Sequence, residues 1–282
     1  MNSSADIEML ERLCAPAGDP LRPPRTLLVL AHPDDETVGA SSRLTRIEVA
    51  ALVYVTDGAP RDGRDARAAG FATIEEYAQT RHAEALRALA HAGISSERAA
   101  FLDYPDQQAA FRLLPLTADL RRWILATRPE IVLTHPYEGG HPDHDAVAFA
   151  VHAAVATLAR EGDTTPVVIE FTSYHACGDG WVFASFLPAP DMVAERIIPL
   201  TTDGQALKQR MLGCYHSQAS TLQAVPLEQE SFRVAPAYDF TRPPHDGQAL
   251  YERYGWGLNV SDWCALASAA IERLQSGQTA NA

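Results

Sequence analysis

The sequence predicts an α/β protein: a three-layer α/β/α sandwich around an open, mostly parallel sheet, ending in an irregular C-terminal extension. Three observations predict it. Short unbroken apolar runs, TLLVLA at 26–31 and VAALVYVT at 49–56, suit strands buried on both faces. The segments between such runs carry helical periodicity. Strand and helix then alternate at short spacing through residue 222, the pattern of a parallel sheet covered on both sides.

Taken in order, residues 1–24 are polar with scattered proline and read as an N-terminal arm. After the first strand, 37–46 reads as a helix. The stretch 57–70 is rich in Asp, Gly, Arg and Ala and reads as a loop. In 74–92 the periodic set Ile74, Tyr77, Ala78, Arg81, Ala85, Leu86 and Leu89 predicts a helix, stopped by Gly93. A short strand at 99–102 is followed by a helix at 113–127, with Pro129 just beyond it. Another short strand at 131–134 precedes an Ala-rich helix at 142–159 with proline in its first turn. Strands at 166–174 and 192–200 and a helix at 202–216 complete the domain 25–222. From 223 to 259 proline, aromatic and charged residues mix without period, as in SFRVAPAYDFTRPPHDG, and 223–282 is expected as an irregular C-terminal extension packed on the same domain.

Composition excludes several classes. The chain has 282 residues, 46% hydrophobic and 21% charged, long enough to bury a core without staples. Its net charge of −13 disfavours nucleic acid and anionic membrane surfaces as partners, since both are held mainly by Lys and Arg. Four cysteines with no CxxC pair read as reduced thiols. Neither a secretory signal nor a membrane-spanning run is visible, so a cytoplasmic location is expected.

Two segments carry the chemistry. Ala31-His32-Pro33-Asp34-Asp35-Glu36 follows the first buried strand, and Gly140-His141-Pro142-Asp143-His144-Asp145 follows the strand at 131–134. A lone His-Pro-Asp is a common helix start, because Asp caps helices and Pro opens them. Two of them, each after a buried strand and each opening a helix, point to more. In open α/β sheets ligands bind beyond the carboxyl ends of the strands, so the two segments are expected to converge. Imidazole and carboxylate groups suit Zn²⁺, and a catalytic zinc keeps three protein ligands and an open position. A site of this donor chemistry also accepts Fe²⁺ or Co²⁺. The surplus of groups over three ligands suits a hydrolase, which needs a base and a second histidine. Residue types alone do not separate Asp34 from Asp35.

The run LLVLAHPDDE with the later HPDH resembles the LmbE-like, PIG-L type zinc deacetylases, the N-acetylglucosaminyl deacetylase family. The likeness covers 26–174 and includes TDG at 56–58, Arg81 and Glu84 in an RxxE spacing, and FLDYPD at 101–106. It implies a Rossmann-like version of the sandwich and removal of an acetyl group from an N-acetylated sugar or glycoconjugate. It implies His32, Asp35 and His144 as zinc ligands and Asp34 as the base that deprotonates the attacking water. His141 matches the histidine that stabilises the oxyanion or protonates the leaving amine, with Asp143 orienting it. Glu36 reads as a structural partner of its loop. His135 reads as a packing group or a support for a ligand.

Asp106, Tyr137 and Arg61 are the candidate substrate contacts, with Arg64 and Arg67 as further loop cations. Tyr238, Phe240, Tyr251, Tyr254 and Trp256 offer either core packing or an aromatic wall for a sugar ring. The extension offers a surface for a homo-oligomer. Two other functions stay open: an amidase of the same superfamily acting on a non-acetyl amide such as a thiol conjugate, and a non-catalytic metal- or ligand-binding relative. A nucleotide-dependent oxidoreductase is excluded, because AHPDDE stands where GxGxxG is needed.

Overall fold

The structure is a computed structural model that describes residues 3–16, 18–178, 180–189 and 193–276. Five strands form the parallel part of the sheet: β1 (Arg25–Leu30), β2 (Glu48–Pro60), β3 (Ala99–Asp106), β4 (Ile131–Thr134) and β5 (Val167–Phe171). With β8 (Glu195–Pro199) and β9 (Gln229–Val234) they make a seven-stranded sheet among the described residues, in the order β3-β2-β1-β4-β5-β9-β8. β9 runs antiparallel to both of its neighbours. A separate hairpin joins β6 (Tyr174–Cys177) and β7 (Gly180–Phe183).

Alternate residues of the strands feed two cores, which is why the runs are apolar throughout. Leu27, Val29, Val53 and Val132 face α5 (Leu113–Thr127), α6 (Pro142–Glu161) and α10 (Val260–Gln275). Leu28, Leu30, Leu52 and Leu133 face α1 (Ser4–Cys14), α2 (Asp35–Ala40), α4 (Ile74–His91) and α7 (Thr202–Leu212). Short helices α3 (Arg64–Ala68), α8 (Ala219–Leu222) and α9 (Leu250–Arg253) complete the set among the described residues. None of the described helices is long and apolar enough to cross a membrane.

Several expectations change. The stretch 57–70, expected as a loop, holds the end of β2 and the short helix α3. The N-terminal segment is no arm: Ser3 and Asp6 close a capping box on α1, and Leu10 and Leu13 are fully buried in the core. The helix expected at 37–46 is regular only over Asp35–Ala40. The C-terminal segment is not irregular throughout. β9 threads between β5 and β8, and α10 covers α5 and α6. Its charges hid the strand. In QESFRV, Glu230 and Arg233 are buried, the first bonded to Ser41 and Ser42 and the second to Glu170 and Glu138. Paired charges bury without the apolar signature that marks a core strand.

Chain direction fixes the location of the site. β1 leads to β2 on one side, while β4 lies on β1's other side. The crevice beyond the carboxyl ends of β1 and β4 is therefore the topological switch point, where such sheets bind ligands.

Candidate metal centre and active site

β1 delivers His32, and the next residues turn into α2. The His32 backbone N–H donates to Asp35 Oδ2 at 2.7 Å, fixing that carboxylate. His135, at the end of β4, places Nε2 3.1 Å from the same oxygen, and its ring stacks on His144 at 4.1 Å. His135 thus sits directly behind two of the predicted ligands. From the other side, His141 is the N-cap of α6 and Pro142 its first residue, so His144 faces inward from the first turn.

His32 Nδ1 lies 3.2 Å from His144 Nε2, and His144 Nε2 lies 3.3 Å from Asp35 Oδ1. Donors bonded to a tetrahedral ion at about 2.0–2.1 Å are separated by about 3.3 Å. Two of the three pairs thus stand at the separation one ion demands, and the third, His32 Nδ1 and Asp35 Oδ2, lies at 3.7 Å. All three are buried. Burial lowers His144 to about 3, which keeps its ring neutral, the form that binds metals.

Asp34 points into the cleft beside this group. Its Oδ2 accepts from Arg81 Nη2 at 2.8 Å. Burial pushes the Asp34 carboxyl up to about 7, with Arg81 pulling the other way. Arg81 is itself buried and also donates to the Gly58 carbonyl. Gly58 has φ 65°, and a Cβ there would overlap the guanidinium. TDG is thus the seat for Arg81, and Arg81 the support for Asp34. An arginine on the buried stripe of a predicted helix was the available signal for this role.

His141 Nδ1 accepts the Asp143 backbone N–H at 3.2 Å, and burial holds the ring neutral. The proton of the neutral ring therefore sits on Nε2. Asp143 thus holds His141 through its backbone N–H, while its carboxylate, 3.8 Å from His141 Nδ1, is engaged elsewhere. The Asp143 carboxylate accepts from the backbone N–H groups of Gln107 at 2.6 Å and Ala109 at 3.0 Å, and lies 3.4 Å from His32 Nε2. It anchors the loop after β3 and backs His32. Glu36 is buried and accepts from Thr37 and Tyr215, as a structural partner would.

The cleft holds about 250 Å³. Asp106 lines it, with Oδ1 3.4 Å from His32 Nε2 and Oδ2 3.9 Å from Arg81. The other two candidate contacts do not reach it. Tyr137 is buried among Tyr238, Phe240 and Trp263, and its hydroxyl donates to the Arg242 carbonyl at 2.9 Å. Arg61 pairs with Asp57 at 2.6 Å, an ion pair closed onto the end of β2 just before it. Arg64 pairs with Asp62, and Arg67 donates to the Asp62 carbonyl. The aromatic set divides: Tyr238, Phe240 and Tyr251 belong to the core, whereas Trp256 lines the cleft 4.8 Å from His141. The hairpin of β6 and β7, absent from the sequence reading, supplies Tyr174, Trp181 and Phe183 to the same cleft. Trp181 Nε1 donates to Tyr254 at 2.6 Å, clasping the hairpin to the C-terminal segment.

The sequence profile of the GlcNAc-PI de-N-acetylase (PIG-L) family matches residues 27–155, which contain both HPD segments. A probable N-acetyl-alpha-D-glucosaminyl L-malate deacetylase 2 of Bacillus anthracis is 30% identical over 154 residues, covering 53% of this chain and 67% of the relative. The chain belongs to the PIG-L family. The corresponding Bacillus subtilis protein is 28% identical over 52% of this chain and 67% of its own length. Solved folds agree with this PIG-L assignment. The zinc-inhibited form of a teicoplanin deacetylase superposes with TM-score 0.56 at 15% identity, over 76% of this chain and 99% of that one. The N,N'-diacetylchitobiose deacetylase of Pyrococcus horikoshii gives 0.53 at 18%, over 84% and 94%. Membership makes this PIG-L protein a hydrolase of the deacetylase class, acting on an N-acetyl amide.

Proposed function

We propose that this chain is a Zn²⁺-dependent N-deacetylase of an acetylated amino sugar or glycoconjugate. The observation that carries the reading is the convergence of His32, Asp35 and His144 at ion-binding separations, with Asp34 beside them in an open cleft. Relatives named for N-acetylglucosaminyl malate and diacetylchitobiose support the sugar, and the buried His32, Asp35 and His144 donor set supports the metal. Four free cysteines suit a reducing, cytoplasmic setting.

His32, Asp35 and His144 would hold the ion. A bound Zn²⁺ supplies Lewis acidity to the amide carbonyl and acidifies water. The protein residues do the rest. Asp34 takes a proton from the attacking water, and Arg81 holds the carboxylate in place for it. His141 presents Nε2–H to the carbonyl oxygen as negative charge builds there. A neutral donor suffices, because the Asp143 N–H bonded to Nδ1 fixes the ring with its proton on Nε2. The carbon–nitrogen bond then breaks, the proton held by Asp34 passes to the departing nitrogen, and the products are acetate and a free amine. Asp106 and Arg81, on the polar side of the cleft, meet sugar hydroxyls.

The test combines elemental mass spectrometry with acetate release from N-acetylglucosamine, its malate glycoside and diacetylchitobiose. Wild type should carry one zinc per chain and release acetate. Asp34→Asn should keep the zinc and lose about 10²–10⁴ in kcat. An Asp34→Asn protein as active as wild type would refute the assignment of the base.

A further inference from the structure

His135 is fully buried behind the metal group and takes no part in the steps above. Its ring is clamped. It stacks on His144 at 4.1 Å, and the Phe171 ring packs across it at 4.8 Å and 60°. Phe171 is held in turn against α2, where Gly39 makes room for it: a Cβ at that position would overlap the Phe171 ring. The two nitrogens of His135 therefore face fixed surroundings. Nδ1 is buried without a hydrogen-bond partner among the described residues. Nε2 lies 3.1 Å from Asp35 Oδ2 and 3.1 Å from the Ala31 backbone nitrogen.

These surroundings choose the place of the ring proton. With the proton on Nδ1, Nε2 accepts from the Ala31 N–H, but a buried N–H is orphaned and the Nε2 lone pair faces a carboxylate oxygen. With the proton on Nε2, the ring donates to that carboxylate, a charge-assisted bond roughly twice as strong as a neutral one. The Ala31 N–H then loses this acceptor, a smaller cost than an orphaned donor beside a lone pair set against an anion. Asp35 Oδ2 thus accepts two hydrogen bonds, from His135 and from the His32 N–H at 2.7 Å. Both of its lone pairs are then in use. Asp35 Oδ1, 3.3 Å from His144 Nε2, is the oxygen left open to an ion. We propose that His135 is a positioning residue that makes Asp35 a one-oxygen ligand, withholding Oδ2 so that a coordination position stays free for water and the amide carbonyl. This rests on the metal-centre reading above. A catalytic zinc keeps such an open position, and a carboxylate bound through both oxygens would fill it. His135 acts through Asp35 and touches no reacting atom.

The experiment loads the protein with Co²⁺, whose visible absorption weakens as its coordination number rises, and compares wild type with His135→Gln and His135→Leu. Glutamine still places an N–H donor beside Oδ2, and leucine does not. His135→Leu should keep its metal, show weaker visible bands, and lose about 10–100-fold in kcat with little change in KM. X-ray absorption at the zinc edge should find a further oxygen neighbour in the same variant. His135→Gln should retain the wild-type bands and most of the turnover. A role in packing alone would lower the stability of both variants and leave the bands of the bound cobalt unchanged. His135→Leu with wild-type bands therefore overturns the proposal. So does a His135→Leu protein that loses its metal, which would make His135 a support for affinity rather than for coordination. Heteronuclear NMR of the zinc-loaded wild type, with the histidine ring nitrogens labelled, tests the same point without any variant, the His135 signals being identified by their proximity to the Phe171 ring. A proton on Nε2 supports the proposal, and a proton on Nδ1 overturns it. Wild type that binds neither zinc nor cobalt would refute the metal centre itself, whereas metal-loaded wild type with the proton on Nδ1 would refute only the role of His135.

Discussion

Asp34 and Asp35 are adjacent and chemically identical, yet their surroundings give them different work. Asp35 is pinned by the His32 N–H and flanked by His135 and His144, so both of its oxygens already have partners. Asp34 has one firm partner, Arg81, and faces the cleft. Asp35→Ala should therefore lose zinc, read as metal per chain after dialysis, whereas Asp34→Asn should not. Arg81→Met should leave Asp34 buried without its counter-charge and destabilise the protein by about 3–5 kcal/mol, measured by chemical denaturation. At this scale the sequence was most informative where a motif fixes position. His32, Asp34, Asp35 and His141 line one cleft, and His144 stands 3.2 Å from His32, so the two HPD segments converge as their places after buried strands suggested. Tyr137 and Arg61 do not reach the cleft, because a side chain three or more positions from a motif finds the nearest partner available. For Tyr137 that is a carbonyl in the aromatic core, and for Arg61 a carboxylate near the end of β2.

Elements were legible when their burial was apolar and local. β1, β2 and β4 were read from unbroken runs, and α4 and α6 from period and capping. β9 was not, since its buried residues include Glu230 and Arg233. The hairpin of β6 and β7 was missed because four-residue strands joined by a short turn give too few positions for alternation to register. α1 was missed because its mixed polar sequence hides two buried leucines, and Leu10→Ala should cost about 2–5 kcal/mol, seen as a lower Tm. β9 also makes a joint that weakens as pH rises. Among the described residues Arg233 is the one cation paired with both Glu170, at 2.8 Å, and Glu138, at 3.2 Å. Burial pushes both carboxyls up to about 7, against the pull of Arg233. A carboxyl raised by folding keeps its proton where the unfolded chain has lost it. These two groups should therefore make stability fall as pH rises from about 4.5 toward 7. Glu170→Gln should flatten that decline relative to wild type in urea denaturation across the same range.

At the scale of the molecule, the order β3-β2-β1-β4-β5 brings segments far apart in sequence to one crevice. The alternation of strand and helix foretold that arrangement, while the antiparallel edge of β9 and β8 lay beyond it. The three ligands come from both sides of the switch point, so a bound ion should tie them together. Chelation should lower Tm and added Zn²⁺ should restore it, by the mass-action stabilisation any native-state ligand gives. The placement of β9 has another result, one that concerns the ribosome. β5 ends at Phe171, but its neighbour begins at Gln229, and β8, made earlier, pairs only with β9. At a synthesis rate of about 5–20 residues per second, the edge of β5 waits about 3–12 s for its partner. During that interval the nascent chain shows an open strand with unpaired N–H and C=O groups, a template for pairing with other chains. A message truncated after residue 222 would make the wait permanent, and its product should collect in the insoluble fraction unless a chaperone covers that edge.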